Sequence, residues 1–241
     1  MQHLLRRKII YILLGILTLP CAGFCQLREG LNNPDHDDKL YHFGINVGFN
    51  TSHFAFTHHP YFLQTDTVNT VNSINSMGLN LAWLVNINLS EHFDIRTYPL
   101  DLTFTEKAFE YNLKYLDFGE VNPLVKKVQS ISLSFPIQLK FSSDRINNFK
   151  VYSIAGFKAE YDMASNAGAR KAEDLIKLKK FDYGIEAGIG FHFYFPVFVL
   201  SPELKVGWGL SNLHARDPAL KFSSVVDKIN SRMISFSLTV E

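Results

Sequence analysis

Histidines close to carboxylates are the residues of this sequence whose types and spacing could do chemistry. His42, His92 and His192 lie on or beside segments of alternating polarity. Nucleophilic catalysis needs a nucleophile and a base within hydrogen-bonding reach, and a third group that orients the base. No local motif marks such a set. His192 could meet Glu186 or Asp182, but a hydrogen-bonding histidine is the simpler interpretation, and we predict a protein that is not an enzyme.

A second group of histidines could bind a metal. His53, His58 and His59 lie close together in "HFAFTHHP" (53–60), within the first long connection. A metal site would need three or four ligands of fixed geometry. A mobile polar loop is the simpler interpretation, and metal binding there stays open. No cofactor is predicted.

The stretch "QLREGLNNPDHDDK" (26–39) is polar and is predicted to be an unpaired leader. His36 could bind a cation together with the acidic residues beside it. A solvated tail is the simpler interpretation. The acidic neighbours are Asp35, Asp37 and Asp38.

Residues 1–25 have the pattern of a secretory signal peptide. Arginine and lysine occupy positions 6–8, an apolar run covers 9–19, and small residues follow. About eleven apolar residues are too few for a helix that spans a bilayer, which takes about 20, whereas they suit a signal sequence. We predict cleavage before Gln26, which removes both cysteines and therefore any disulfide or thiolate site.

The charge balance does not suggest nucleic acid as a partner, and none is predicted. The signal segment carries three of the 24 Lys and Arg residues and none of the 23 Asp and Glu residues. The mature chain therefore has 21 basic and 23 acidic residues, a net charge of −2. Nucleic-acid binding requires a basic surface, and nothing in this balance predicts one.

Eight segments of the remaining chain alternate between apolar and polar residues. In "FDYGIEAGIGFHFYF" (181–195) the odd positions are apolar or aromatic, and the even positions are acidic, small or polar until Tyr194. Such alternation predicts a strand with one apolar face. The parity slips at Tyr98-Pro99, which predicts a β-bulge. The segments are 40–50, 76–87, 92–104, 130–141, 149–161, 181–194, 200–210 and 233–241.

The connections between these segments alternate between long and short, as in outer-membrane barrels. Lipid offers no hydrogen-bond partners, so strands that cross it must close into a barrel. We predict an all-β, eight-stranded antiparallel transmembrane barrel over 40–241, in the outer membrane, with short periplasmic turns and long extracellular loops. The alternative is a soluble barrel of lipocalin type, with the apolar face inside, but the glycines and asparagines of the polar face do not resemble a water-exposed surface.

The polar face of the predicted barrel carries charges of both signs. Five acidic and four basic residues share it, so pairing in a narrow, packed lumen is feasible. A mixed lining predicts a structural interior and no small-molecule substrate. The residues are Asp94, Arg96, Lys140, Lys158, Glu160, Asp182, Glu186, Glu203 and Lys205.

One predicted extracellular loop has apolar residues at helical spacing. In "DPALKFSSVVDKI" (217–229) these are Leu220, Val225, Val226 and Ile229. Apolar groups exposed in a loop need cover. We therefore predict contact with a partner protein there.

Four stretches resemble the PorT family of Bacteroidota outer-membrane barrels. They are "YHFGINVGFNTSHF" (41–54), "HFDIRTYPLDLTF" (92–104), "FPIQLKFSSDRINNFKVYSIAGFKAEYD" (135–162) and "FDYGIEAGIGFHFYFPVFVLSPELKVGWGLSNL" (181–213). The resemblance implies a role in the type IX secretion system, which exports proteins across the outer membrane and supports gliding in some species. It implies no catalytic residue.

The resemblance also implies partners, namely outer-membrane lipids and other type IX secretion components. The alternatives are a small barrel with a structural or adhesive role and a lipid-modifying barrel enzyme. An enzyme would depend on one histidine or serine at the barrel rim, whose loss would leave the fold intact.

Overall fold

A computed structural model of the 241-residue chain describes residues 30–58, 68–113, 123–164, 178–215 and 226–241. The chain divides into a first unit, Met1–Leu31, and a second unit, Asn32–Glu241. All of the described strands belong to the second unit. The predicted signal peptide, 1–25, lies outside the described residues.

The described residues form nine strands and one short 3₁₀ helix. Strands β2 and β3 both pair with β4 and are separated only at Asn75, so together they make one crossing. No helix in the described ranges is long and apolar enough to cross a membrane. The 3₁₀ helix is Pro34–His36, and the strands are β1 Tyr41–His58, β2 Val68–Ile74, β3 Ser76–Asn88, β4 Phe93–Leu113, β5 Leu124–Ser142, β6 Phe149–Asp162, β7 Phe181–Tyr194, β8 Val199–Gly209 and β9 Val226–Val240.

The strands close into an eight-stranded antiparallel barrel. Around the ring the order is β1, β3, β4, β5, β6, β7, β8 and β9, and β9 pairs again with β1. The seam between the first and last strands is reinforced by Asn46, whose side-chain amide donates to Ser237 at 3.0 Å and Thr239 at 2.7 Å. The Asn80 side-chain amide donates to Asn46 Oδ1 at 3.1 Å. The predicted fold class is confirmed.

The apolar face of the barrel points outwards. Phe157, Phe181 and Ile137 expose 74%, 71% and 64% of their surface, whereas the inward-facing Asn46 and Gln138 expose 0% and 1%. An apolar belt of this extent is stable against lipid and not against water. The lipocalin alternative, which needs the opposite orientation, is therefore excluded. The short turns at 89–92, 143–148 and 195–198 mark the periplasmic end.

The bulge predicted at Tyr98-Pro99 is confirmed. Around these positions the register changes in the pairing of β4 with each of its two neighbours, β3 and β5. Tyr98 points inwards and is 1% exposed, while Pro99 and Leu100 both face outwards. Inward-facing residues are even-numbered before the bulge and odd-numbered after it, as at Thr103. Both halves of β4 thus keep an apolar outer face.

The strands are longer at the extracellular end than the alternation predicted. β1 continues to His58, β4 to Leu113, and β5 begins at Leu124, where loops were expected. Beyond the lipid a strand has no need of an apolar face, so alternation no longer marks it. His53, predicted in a loop, therefore lies within β1.

The partner-contact prediction for the last loop is wrong for two of its four residues. Val226 and Ile229 belong to β9 and are 0% exposed. Apolar spacing that was attributed to an uncovered loop comes instead from inward-facing strand positions. Leu220 and Val225 lie outside the described residues.

Candidate functional site

The centre of the lumen is occupied by an ion pair between Arg96 and Glu203. Arg96 lies on β4 and Glu203 on β8, which are four places apart in the ring of eight and thus on opposite walls. The Arg96 Nη1 donates to Glu203 Oε1, and both side chains are fully buried. Because the narrow interior of an eight-stranded barrel is filled by its own side chains, this pair bridges the lumen.

Two tyrosines and a lysine surround this pair. The Tyr152 hydroxyl donates to Glu203 Oε1 at 2.7 Å, and the Arg96 guanidinium carbon lies 5.2 Å from the Tyr152 ring centroid. The Lys205 ammonium lies 3.8 Å from Glu203 Oε2 and 3.5 Å from the Tyr98 hydroxyl. Hydrogen bonds of this kind offset the desolvation of the buried charges.

A second layer of the lumen lies on the periplasmic side of Arg96. The Lys140 ammonium donates to Asp94 Oδ2 at 2.8 Å and lies 5.2 Å from the Tyr152 ring centroid. Gln138 is paired directly with Arg96 and so lies at its level, and it donates to Glu186 on β7. The Asp94–Lys140 contact joins the neighbouring strands β4 and β5. The contact between Gln138 and Glu186 joins β5 to β7, which are not neighbours, so it ties separate parts of the barrel wall together.

A third layer lies near the extracellular ends of the strands. The Lys158 ammonium is 2.9 Å from Glu160 Oε2, and Asp182 accepts a hydrogen bond from Ser211. The structure thus places every predicted lumen residue on the inner face. Three of them, Lys158, Glu160 and Asp182, are partly buried, and six are buried: Asp94, Arg96, Lys140, Glu186, Glu203 and Lys205.

Sequence reasoning did not single out several members of the network. Tyr98, Tyr152 and Gln138 are each 1–2% exposed, and each stands at an inward-facing position of its strand. The signal was therefore present in the parity. The two tyrosines were passed over because an aromatic ring suits either face, and Gln138 was passed over because only charged residues of the polar face were selected. Gly190 on β7 lies directly opposite Tyr152, where a Cβ atom would come 2.3 Å from the Tyr152 Cζ.

The lumen also holds a histidine and serine pair. His192 Nδ1 and Ser201 Oγ are 2.6 Å apart, and the two residues are 2% and 0% exposed. The His192 ring packs 4.4 Å from the Tyr152 ring. Ser201, rather than the predicted Glu186 or Asp182, is thus the hydrogen-bond partner of His192.

Residues 32–38 of the predicted leader, called the N-terminal segment below, are folded onto the periplasmic end of the barrel, so the prediction of an unpaired, solvated tail is wrong for these residues. The Asn32 backbone N–H donates to Asn148 Oδ1 at 2.8 Å. Arg145 in the β5–β6 turn donates to the backbone carbonyls of Asn32 and Asn33 and packs its guanidinium carbon 3.6 Å from the Tyr194 ring centroid. These polar contacts replace the hydration that the sequence alone implied.

Asp37 is the main anchor of this segment. It accepts a hydrogen bond from the Tyr194 hydroxyl at 2.8 Å and lies 3.4 Å from Arg145 Nη1 and 3.6 Å from Lys150 Nζ. Although burial opposes the shift, the Tyr194 hydrogen bond and the two cations lower the pKa of Asp37. The Asn88 side chain donates to the backbone carbonyl of Asp37 at 3.1 Å.

His36 points from this segment into the mouth of the barrel. It is 8% exposed, and its ring centroid lies 4.1 Å from that of His42. Burial, reinforced by His42, lowers the pKa of His36 to about 4, so the imidazole is neutral at neutral pH. Within the described ranges, one group of potential metal ligands brings its donor atoms within 4.8 Å of one another, namely His36, His42 and Glu241.

The metal set suggested by the sequence differs from this group. His53 and His58 lie within β1, and His59 lies outside the described residues. Asp35 and Asp38, proposed as companions of His36, are not members of the group. The carboxylate of the observed group is that of Glu241, which is distant from His36 in the sequence.

One family model matches most of the chain. The family model described as "Outer membrane protein beta-barrel domain" matches residues 26–215, more than half of the chain. No curated protein matches the sequence well enough to count as a relative.

Solved structures with a similar arrangement of strands include three bacterial proteins. The outer membrane protein OprG from Pseudomonas aeruginosa is 14% identical, with 82% of this chain and 94% of that chain covered and a TM-score of 0.44. Neisserial surface protein A is 11% identical, with 84% and 99% covered and a TM-score of 0.42. Ail, the attachment invasion locus protein of Yersinia pestis, is 12% identical, with 82% and 96% covered and a TM-score of 0.38.

Proposed function

The chain belongs to the outer membrane protein beta-barrel domain family, and we propose that it is a non-catalytic accessory or assembly factor of the type IX protein secretion system. In this role it is exported by its cleaved signal peptide, residues 1–25, and inserts into the outer membrane. Its partners are membrane lipids and other components of the secretion machine. It supports gliding in those species in which the machine does so.

The filled lumen is the observation that carries the accessory role. Arg96 and Glu203 join opposite walls, and both side chains are fully buried. The segment around His36 covers the periplasmic end. An eight-stranded barrel filled in this way has no room for a polypeptide, so the protein acts beside the conduit and not as the conduit.

The link to type IX secretion rests on the sequence resemblance to the PorT family. The resembling stretch 181–213 includes β7, which supplies Glu186 to the lumen network, and β8, which supplies Glu203 and Lys205. The same stretches therefore build the feature that makes the barrel a closed scaffold.

The test is the secreted-protein profile of a strain that lacks the gene, with membranes fractionated in parallel. We expect cargo with C-terminal sorting domains to accumulate in the periplasm and the wild-type protein to reside in the outer membrane. Complementation with the wild-type gene must restore export, and an unrelated outer-membrane protein must reach normal levels in the mutant. Normal export in the mutant would overturn the PorT assignment and the secretion role in favour of a structural or adhesive role. The outer membrane protein beta-barrel domain family would still be the right family.

The same strain tests the lipid-modifying alternative. Complementation with His92→Ala, which alters a histidine in a periplasmic turn, is expected to restore export fully. Loss of function with normal insertion of this variant would instead indicate chemistry at the rim.

A further inference from the structure

We propose that His36, His42 and Glu241 bind one divalent transition-metal ion of the Zn²⁺ class at the periplasmic end of the barrel. This inference does not depend on the secretion role. The three ligands come from separate parts of the chain, namely the N-terminal segment, β1 and the residue that follows β9. A bound ion would therefore fasten the N-terminal segment to the seam of the barrel.

The distances between the ligand atoms are longer than they would be around a bound metal ion. Glu241 Oε2 lies 3.7 Å from His42 Nδ1 and 4.0 Å from His36 Nε2. These separations are too long for hydrogen bonds. Tetrahedral ligands with bonds of about 2.0–2.1 Å lie about 3.3 Å apart. The two distances to Glu241 would therefore shorten by less than about 1 Å. The distance between the two histidine donor atoms, which is at most 4.8 Å, would shorten by at most about 1.5 Å.

The carboxylate is already oriented towards the two imidazoles. The Glu241 side chain is 1% exposed, and its Oε1 accepts from Arg96 Nη2 at 3.4 Å. Its Oε2 is buried and has no hydrogen-bond partner among the residues that the structure describes. A buried carboxylate oxygen without a donor is costly, and a cation between it and the two imidazoles would satisfy it. The Arg96 contact is of the kind that orients a metal ligand.

The neighbouring charges leave the site able to accept a dication. Arg96 is paired with Glu203, and Lys140 is paired with Asp94. A polar cavity of about 20 Å³ adjoins His36 and His42, which is room for one water as a fourth ligand. Two imidazoles and one carboxylate suit zinc and similar ions, whereas Mg²⁺ and Ca²⁺ favour all-oxygen sites.

The test is zinc binding by the full chain as recovered from the membrane, without a histidine tag, in detergent. Isothermal titration calorimetry is expected to show one Zn²⁺ per chain and no binding of Mg²⁺. His36→Ala and Glu241→Gln should each weaken zinc binding at least about tenfold. His92→Ala, in a periplasmic turn 3.9 Å from Asp144, is the matched control and should bind zinc as the wild type does.

Two further readouts separate a ligand role from a folding defect. Co²⁺ should give the visible spectrum of a four-coordinate N- and O-ligated ion in the wild type and lose it in His42→Gln. Zinc should raise the urea midpoint of the wild type but not of His36→Ala, whose barrel must give the wild-type circular dichroism spectrum. Weak binding of several ions with equal affinity in all variants would show adventitious metal only and would overturn the proposal, as would unchanged binding in both His36→Ala and Glu241→Gln.

Discussion

Arg96 and Glu203 form an ion pair that joins opposite walls of the barrel, with 0% of either side chain exposed. The contribution of such a pair to stability is clearest from the cost of removing one partner. Taking both charges out of water is costly, and their attraction and their extra hydrogen bonds offset that cost. Removal of one partner leaves the other charge buried and uncompensated.

The first prediction concerns this pair. Arg96→Met should lower the free energy of unfolding by about 3–5 kcal/mol, because Glu203 keeps its charge without its main partner. Urea unfolding in detergent, followed by the fluorescence of Trp83 and Trp208 on the outer face, would measure the loss. The double variant Arg96→Met, Glu203→Leu should recover at least about 1 kcal/mol of it. Equal stability of the single and double variants would show that the pair does not couple the walls.

The second prediction concerns the close approach of Gly190 to Tyr152. Gly190→Ala should destabilise the barrel by about 1–3 kcal/mol through overpacking, because its Cβ would lie 2.3 Å from Tyr152 Cζ. The Tyr152 ring cannot yield easily, since its hydroxyl is bonded to Glu203 at 2.7 Å. Gly207→Ala is the matched control, because the nearest atom to its Cβ, the Met233 carbonyl oxygen, is 3.9 Å away. Its unfolding midpoint should stay near the wild-type value, and equal losses in both variants would contradict the packing argument.

The third prediction concerns the docking of the N-terminal segment. Arg145→Ala should release residues 32–40, because Arg145 bonds the carbonyls of Asn32 and Asn33 and pairs with Asp37. Hydrogen exchange measured by mass spectrometry should become faster in this segment and stay unchanged in the strands. Arg232→Ala, which removes an exposed arginine of β9, should leave exchange in the segment as it is. Unchanged protection in Arg145→Ala would mean that Arg145 does not hold the segment.

The fourth prediction concerns the depth of the lipid-facing residues. Ile189 lies in the middle of β7 and exposes 53% of its surface, and Phe181 opens the same strand with 71% exposed. Ile189→Lys should cost about 2–4 kcal/mol in phospholipid vesicles, and Phe181→Lys about 0–1 kcal/mol, because a charge is most costly at the bilayer midplane. Unfolding in urea from vesicles compares the two variants. A cost that does not depend on depth would be inconsistent with a transmembrane barrel.

The architecture could be predicted because lipid imposes a rule on every second residue. In β7, the alternation of residues such as Phe181 and Asp182 predicted the strand, the side of it that faces lipid and its approximate length. The bulge at Pro99 was visible as a change of parity for the same reason. Beyond the lipid the strands need not alternate between apolar and polar residues. The extensions of β1 to His58 and of β4 to Leu113 could therefore not be predicted from the alternation.

The sequence predicted that charged residues would pair inside the lumen, but not which residue would pair with which. Parity placed Arg96 and Glu203 on the inner face, but only the ring order of the strands sets them opposite each other. Tyr152 was missed because an aromatic ring suits either lipid or a packed lumen. His36 was missed as a docked residue because its neighbours in sequence are polar. Its contacts are His42 on β1 and Glu241 just after β9, which come together only in the folded chain.

The seam between β1 and β9 has a consequence for the order in which the molecule can be made. Asn46 bonds Ser237 and Thr239, which lie 191 and 193 positions later in the chain. Contacts between such distant positions form slowly because the entropy of closing the chain is lost before they form. A nascent chain that lacks β9 carries unpaired edges on both β1 and β8, which lipid cannot satisfy. Insertion must therefore wait for the last strand, and until then the unfinished sheet needs protection from aggregation in the periplasm.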